Sequence, residues 1–181
     1  MSDSQITKKA LADSMKKLME DRPMKKISIG DIVEGCGMNR QSFYYHFKDK
    51  YDLVNWIYYT EFILTIKDVS LKSWEILEEI CEFFYRNKIF YKNAFQVTGQ
   101  NSFSEYFIEV LHPILEVHLN IVFKNKRNMD FYATFYADAI RVSISRWLIE
   151  GAVIPPEQFV ELIKSSIEGV AMGLLNDTGD F

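Results

Sequence analysis

Apolar side chains recur three and four residues apart along almost the whole chain, which is the spacing of amphipathic α-helices. Only eight Gly and four Pro interrupt this pattern in 181 residues, and the pattern contains no convincing strand signal. It predicts an all-α protein of about nine helices. The first begins near Ser4 and ends at Asp21, two short helices and a longer one follow between residues 28 and 60, and the rest lie at about 70–87, 88–97, 102–124, 129–150 and 156–175.

Local signals place the ends of the N-terminal helices. Pro23 ends the first helix, because the residue before a proline is pushed out of helical geometry. Ser28 followed by Asp31 resembles a capping box with Asp in place of Glu, and Asn39 is a typical N-cap for the next helix. No linker composition appears near residue 60, so we expect domain 1–60 to join domain 61–181 through a shared fourth helix.

Composition narrows the class of protein. With 48% hydrophobic and 25% charged residues the chain is not disordered, and its net charge of −4 excludes a protein that is basic throughout. The charge is uneven, however: residues 22–50 hold six Lys and Arg against three Asp and Glu, whereas residues 61–181 hold eleven against seventeen. A cationic segment on an acidic body favours contact with a polyanion at one end.

The cysteines and the first residues of the sequence indicate the cellular compartment of the protein. Cys36 and Cys81 lie in apolar, helix-like surroundings without paired spacing, which indicates a reducing environment and no disulfide framework. The first residues lack the basic and apolar regions of a signal peptide, and no apolar run approaches the length that spans a bilayer. We therefore expect a cytoplasmic protein that does not enter a membrane.

The two short helices between residues 28 and 47 flank a turn that contains glycine. Ile32, Cys36, Met38 and Phe43 are spaced so that they pack against one another, which is the pattern of a helix-turn-helix. If Phe43 faces the core, four polar or amphipathic side chains occupy the outer face of the second helix: Arg40, Gln41, Tyr44 and Tyr45.

Those side chains suit double-stranded DNA. Arg can bind the acceptors of guanine, Gln can bind adenine, and a tyrosine ring can contact a thymine methyl or a phosphate. We also expect the N-terminus of the fourth helix, near Asp49, to offer free backbone N–H groups to a phosphate. The alternative is a surface helix that exposes aromatic residues by chance.

Residues 27–53 resemble the DNA-binding domain of TetR-family regulators, whose Tyr-x-His-Phe-x-x-Lys motif stands here as Tyr44, His46, Phe47 and Lys50. The resemblance implies a homodimer on a near-palindromic operator. This sequence departs from the usual pattern of the family at Val33 and Cys36, where Ala is usual, and at Asn39. By resemblance the base contacts are Arg40, Gln41, Ser42 and Tyr45, and the phosphate contacts are Ser28, Tyr44, His46, Lys48 and Lys50.

A narrower resemblance covers residues 43–58, which are similar to the DhaS-like activators of dihydroxyacetone kinase operons. It implies an activator that works with a kinase-like coactivator protein and does not bind a metabolite directly. We predict no cofactor. The alternative is a TetR-type repressor of an efflux or metabolic operon that a small-molecule effector releases from DNA. The aromatic residues between 83 and 107 could line a cavity for such an effector, but rings at helical spacing more often fill a core.

The last two helices carry more apolar surface than one core readily covers. The first of them has two apolar faces, and the second combines a core stripe with small residues that permit close approach of another helix. This pattern predicts a four-helix dimer interface, although the two helices could also be buried against each other in one chain. The interface residues that we predict are Phe135, Ile140, Trp147, Ile163, Ile167, Gly169 and Gly173.

One pattern favours a different class of protein. Glu105, Glu109, His112 and Glu116 share one stripe of a predicted helix, and Glu109 with His112 has the Glu-x-x-His spacing of di-iron bundles. Such a site needs a second Glu-x-x-His, which neither other histidine supplies. A solvated acidic face is therefore the preferred interpretation, and we predict neither a metal site nor a catalytic site.

Overall fold

The computed structural model describes residues 3–66, 73–122 and 128–176, which fold into helices joined by short turns. The N-terminal helices are α1 (Asp3–Asp21), α2 (Ile29–Gly35), α3 (Arg40–His46) and α4 (Lys50–Tyr58), with a 3-10 turn at Met24–Lys26. Helix α4 continues through a π-helical turn (Tyr59–Ile63) into the short α5 (Leu64–Ile66). The C-terminal helices are α6 (Ser73–Arg86), α7 (Lys88–Phe95), α8 (Phe103–Val122), α9 (Met129–Ile149) and α10 (Pro156–Asn176).

The all-α prediction is confirmed, and within the described ranges the chain forms nine helices if α4 and α5 are counted as one continuous segment. The predicted capping signals also act as expected. The backbone N–H of Asp31 donates to the Ser28 hydroxyl, and the Ser28 N–H donates to the Asp31 carboxylate at 2.7 Å, which completes a capping box. Asn39 caps α3 by accepting from the N–H of Ser42 at 2.8 Å.

Helix α1 packs against α2, α3 and α4, and this contact forms the core of the N-terminal domain. Its crossing with α2 is close: the Ser14 hydroxyl donates to the Ile32 carbonyl at 2.7 Å, and a Cβ on Gly35 would lie only 2.4 Å from that hydroxyl. The turn after α2 uses the left-handed conformation at Gly37, whose φ is 68°. The fully buried apolar side chains include Leu11, Met15, Ile32, Phe43 and Leu53.

Polar contacts and a shared core join the N-terminal helices to the rest of the chain. Lys16 of α1 forms an ion pair with Glu61 in the π-helical turn, with an N···O distance of 2.7 Å. The side-chain amide of Asn93 donates to the Met19 carbonyl at 2.7 Å. The hydrophobic core runs without a break from the N-terminal helices into the C-terminal ones. Helix α1 is therefore in contact with α4, with the π-helical turn that follows it and with α7.

The C-terminal helices pack in two main pairs, α8 against α9 and α6 against α10. Between α4, α6, α7 and α8 lies an aromatic core in which neighbouring rings contact each other at 4.6 to 6.3 Å between centroids. Its rings fill the space, as the preferred interpretation of the sequence has it. The aromatic core consists of Tyr58, Phe62, Phe83, Phe84, Tyr91, Phe95, Phe103 and Phe107.

Candidate nucleic-acid interface

The outer face of α3 is exposed, as the spacing of its residues predicts. The side chain of Tyr45 is 83% exposed and that of Tyr44 is 57% exposed, and Arg40 and Gln41 are also exposed. We call these four residues the reading face. Phe43, on the opposite side of the same helix, is fully buried and anchors the helix to the core. The helix is thus held by one side and presents the other to solvent.

Two further residues predicted to contact DNA lie at the edge of this face. Ser42 is half-buried, and its hydroxyl donates to the Asn39 side chain at 3.2 Å. His46 is half-buried against Tyr45, with ring centroids 4.9 Å apart in an edge-to-face contact. Together with Gln41 and with Thr7 of α1 these residues line an open cleft of about 260 Å³. Thr7 was not predicted from the sequence, because helical spacing says nothing about which distant helix borders a cleft.

The residues predicted to contact phosphates divide into two kinds. Ser28, Tyr44 and Lys48 are exposed, and the Lys48 side chain has no partner in the described part of the chain. The ammonium of Lys50, in contrast, donates to the carbonyls of Met24 and Ile27 at 2.9 and 2.7 Å. Burial lowers the pKa of Lys50, and the nearby Asp31 opposes this by raising it.

Lys50 therefore holds the turn before α2 against the start of α4. A phosphate contact by Lys50 would have to share the ammonium with these carbonyls. Nothing in the sequence indicates those acceptors, which lie 26 and 23 residues before Lys50. The Lys48 ammonium has no such role and is free to meet a phosphate.

The expectation of free backbone donors at the start of α4 is wrong. The Asp49 side chain accepts from the N–H groups of Tyr51 and Asp52 at 2.8 and 2.9 Å. The Asp52 carboxylate in turn accepts from the N–H of Lys48 at 3.0 Å. Two carboxylates thus occupy the end of the helix where a phosphate was expected, and their charge opposes a second anion.

The start of α2 also carries a capping carboxylate, but here a cation lies beside it. The backbone and hydroxyl of Ser28 both donate to Asp31, and these hydrogen bonds, with help from Arg22, hold the pKa of Asp31 below its usual value. Arg22 lies 3.3 Å from the Asp31 carboxylate and offsets its charge. The exposed Ser28 is fixed in place beside the side chain of Arg40.

A second surface lies on the last two helices. Phe135 is 57% exposed and stacks on the exposed Phe131. Ile163 and Ile167 are half-buried and line, with Phe135, an open apolar groove of about 500 Å³ between α9 and α10. Exposed apolar side chains gathered around one groove are typical of surfaces that bind a partner.

Two of the predicted interface residues are placed differently. Ile140 is 2% exposed but lines the floor of the same groove, whereas Trp147 is buried within the chain itself. Trp147 stacks on Phe159 at 4.6 Å between centroids, and its indole N–H donates to the Ile154 carbonyl at 2.8 Å. Helical spacing identifies both apolar faces of α9 but not which of them the chain's own helices cover. Gly169 and Gly173 belong to the backbone of α10, but their side-chain surroundings lie outside the described residues.

The residues that favoured a di-iron site do not gather around one point. His112 lies 3.3 Å from Asp130 at the start of α9. Among residues 3–66, 73–122 and 128–176, no group of three His, Cys, Asp or Glu side chains is placed to hold a metal ion. The same ranges contain no helix long and apolar enough to cross a membrane.

An exposed reading face on the second helix of a helix-turn-helix, carried by a helical body, defines a DNA-binding regulator. Comparison with known families agrees: residues 12–57 match the model of bacterial regulatory proteins of the tetR family, and residues 72–169 match the model of a transcriptional regulator C-terminal region. The chain belongs to the tetR family and is a DNA-binding transcriptional regulator.

Individual relatives are more specific. The chain is 28% identical over 134 residues to the HTH-type dhaKLM operon transcriptional activator DhaS of Lactococcus lactis subsp. lactis. The aligned residues make up 73% of this chain and 69% of that protein. The solved structure of a dihydroxyacetone kinase operon activator DhaS superposes with a TM-score of 0.63 and 25% identity, covering 90% of this chain and 97% of that one. A TetR transcriptional regulator from Streptococcus agalactiae shares the fold, with a TM-score of 0.71, 19% identity and coverage of 91% and 94%.

Proposed function

We propose that this protein activates a dihydroxyacetone kinase operon by binding a near-palindromic operator as a homodimer, together with a kinase-like coactivator protein. The similarity to DhaS is the observation that supports both the activating role and the identity of the operon. It extends over 73% of the chain and therefore includes residues of the C-terminal body as well as of the DNA-binding domain. As a regulator of a bacterial chromosome it would act in the cytoplasm.

The reading face supports recognition of base sequence. Arg40, Gln41 and Tyr45 are exposed, and exposed side chains of this kind do not stabilise the fold by burial. In our proposal these residues and Ser42 contact base edges. Ser28, Tyr44, His46, Lys48 and Lys50 lie near phosphates and fix the register of α3 on the duplex.

The apolar groove on α9 and α10 supports the homodimer. Phe135, Ile163 and Ile167 line one continuous surface, and a second copy of the same surface would cover it with two-fold symmetry. Two copies of α3 would then face two half-sites of one operator, as a near-palindrome requires.

The aromatic core favours a protein partner over a small-molecule effector. Its central rings are fully buried, and the cavity beside it, between Trp74 and His118, holds only about 20 Å³. A drug-sized ligand needs roughly 300–1,000 Å³, and of these two spaces only the groove of about 500 Å³ between α9 and α10 has that volume. In our proposal a second copy of the chain covers that groove. A coactivator can alter DNA affinity only by preferring one arrangement of the two reading faces, and α4 with its π-helical turn connects those faces to the body.

A reporter fused to the bound promoter tests the activation. We expect its expression to fall when the regulator gene is deleted and also when the gene for the kinase-like protein is deleted. Expression that rises without the regulator would contradict activation and support the repressor. A purified small metabolite that alone releases the protein from DNA would contradict the partner model.

The homodimer is tested by sedimentation of Phe135→Glu. This side chain is exposed in one chain, so the variant should fold, but the charge would be buried in the dimer and should dissociate it at micromolar concentration. Ile89→Glu is a matched control, since Ile89 is 53% exposed on α7, and it should remain dimeric. A wild-type protein that sediments as a monomer would contradict the homodimer.

A further inference from the structure

Gly30 occupies an unexpected position in α2. It is the second residue of the helix and lies in its first turn, directly after the capping residue Ser28. Its backbone φ is not in the left-handed region, unlike those of Gly37, Gly99 and Gly151, so no conformational requirement explains it. The space around residue 30 is therefore the feature that bears on the absence of a side chain.

The neighbouring side chains show what that constraint is. A Cβ added to Gly30 would lie 3.1 Å from a terminal nitrogen of the Arg40 guanidinium and 3.3 Å from the Ser28 hydroxyl. Both distances are shorter than ordinary van der Waals contact. The guanidinium of Arg40 therefore crosses from the start of α3 and lies directly over the first turn of α2, in the space that a side chain would otherwise fill.

Stability does not explain why Arg40 lies there. Its side chain makes no hydrogen bond or ion pair within the described ranges, and a cation beside the N-terminus of a helix is electrostatically unfavourable. The exposed guanidinium keeps all its donors free while the bare backbone of Gly30 supports it from beneath.

We propose that Gly30 is a specificity-determining residue that acts by positioning Arg40. The absence of a side chain at residue 30 lets the arginine approach a base edge from above α2, beside Ser28, rather than from α3 alone. This inference rests on the proposed role of Arg40 as a base contact. The expected target is the pair of guanine acceptors, which suits a guanidinium whose donors are all free.

The test is selection of bound sequences from a random DNA pool by the full-length protein and its variants. Arg40→Ala should lose the preference for one base pair in each half-site, by roughly tenfold to a hundredfold in relative affinity. Gly30→Leu should lose the preference at that same base pair to a similar extent, and Gly30→Ala should lose part of it. In an Arg40→Ala background neither change at residue 30 should have any further effect.

Thermal unfolding separates this role from a structural one. Because the Arg40 guanidinium is the free end of an exposed side chain and can move aside for a Cβ, Gly30→Ala should leave the Tm nearly unchanged while its DNA preference changes. The inference is overturned if the preferred base pair is unchanged in Gly30→Leu, or if that change alters preference equally with and without Arg40. If the wild type enriches no sequence at all, the proposed DNA-reading function itself fails, and this inference fails with it.

Discussion

Tyr45 and Tyr58 lie 13 residues apart in the sequence and have opposite surroundings in the fold. Tyr45 on the reading face is 83% exposed, with its ring edge-on to His46. Tyr58 in the aromatic core is 0% exposed and contacts Phe62, Phe84 and several other rings. The difference shows that aromatic content alone does not identify a binding surface; the face of the helix on which the ring lies decides it.

The two regions also differ in how their polar atoms are used. The reading face leaves its donors in water, where they are available to DNA. In the aromatic core the hydroxyls of Tyr58 and Tyr91 are buried without a hydrogen-bond partner in the described part of the chain, and burial raises the pKa of both well above the usual value. One region is thus built for contact with a partner and the other for packing.

The largest expected effect separates these regions by stability. Phe84→Ala removes a fully buried ring and should lower the free energy of unfolding by about 3–5 kcal/mol. Tyr45→Ala removes an exposed ring and should change the free energy of unfolding by less than about 0.5 kcal/mol while weakening DNA binding. Denaturant unfolding measures the stability of both variants, and titration with DNA measures their affinity. The distinction between the two regions is contradicted if Tyr45→Ala destabilises the protein as much as Phe84→Ala.

A second comparison is between the two lysines beside the reading face. Lys50→Ala leaves the carbonyls of Met24 and Ile27 without their donor, so it should lower the free energy of unfolding by about 1–3 kcal/mol and also weaken binding to all DNA sequences. Lys48→Ala should leave stability nearly unchanged and lower the slope of binding against salt by about one unit. Equal stability of the two variants would show that Lys50 does not hold the turn.

These lysines illustrate what the sequence can predict. Helical spacing and capping residues predict the helix bounds to within a few residues and predict that Arg40 and Gln41 are exposed. Both properties depend on residues that are close in the sequence. The acceptors of Lys50 and the pairing of Lys16 with Glu61, 45 residues away, depend on how helices cross, which spacing does not specify. The burial of Trp147 and the π-helical turn after Tyr58 were unpredictable for the same reason.

A smaller effect is expected in the aromatic core. Tyr58→Phe removes a buried hydroxyl that has no partner among the described residues, so it should leave the free energy of unfolding unchanged or raise it by up to about 1 kcal/mol. Chemical denaturation measures it, with Tyr45→Phe as the exposed control. A loss of more than about 1.5 kcal/mol would mean that the hydroxyl makes a hydrogen bond in solution.

The smallest effect concerns His118, whose ring packs edge-on to Trp74 at 5.4 Å between centroids. Burial lowers the pKa of His118 from 6.5, and Glu168 opposes this by raising it. The unfolded chain therefore binds a proton at a higher pH than the folded protein, so stability should fall as the pH drops below about 6.5 and level off below the folded pKa. His118→Gln should remove this part of the pH dependence of Tm, and an unchanged profile would contradict it.

The central claim is that the reading face of α3 recognises a DNA sequence. The most direct measurement is selection of bound fragments from a random pool by the wild type and by the double variant Arg40→Ala, Gln41→Ala. We predict a near-palindromic motif for the wild type, and for the double variant weak, salt-dependent binding without a motif. The claim is contradicted if the wild type enriches no motif, or if the double variant enriches the same one.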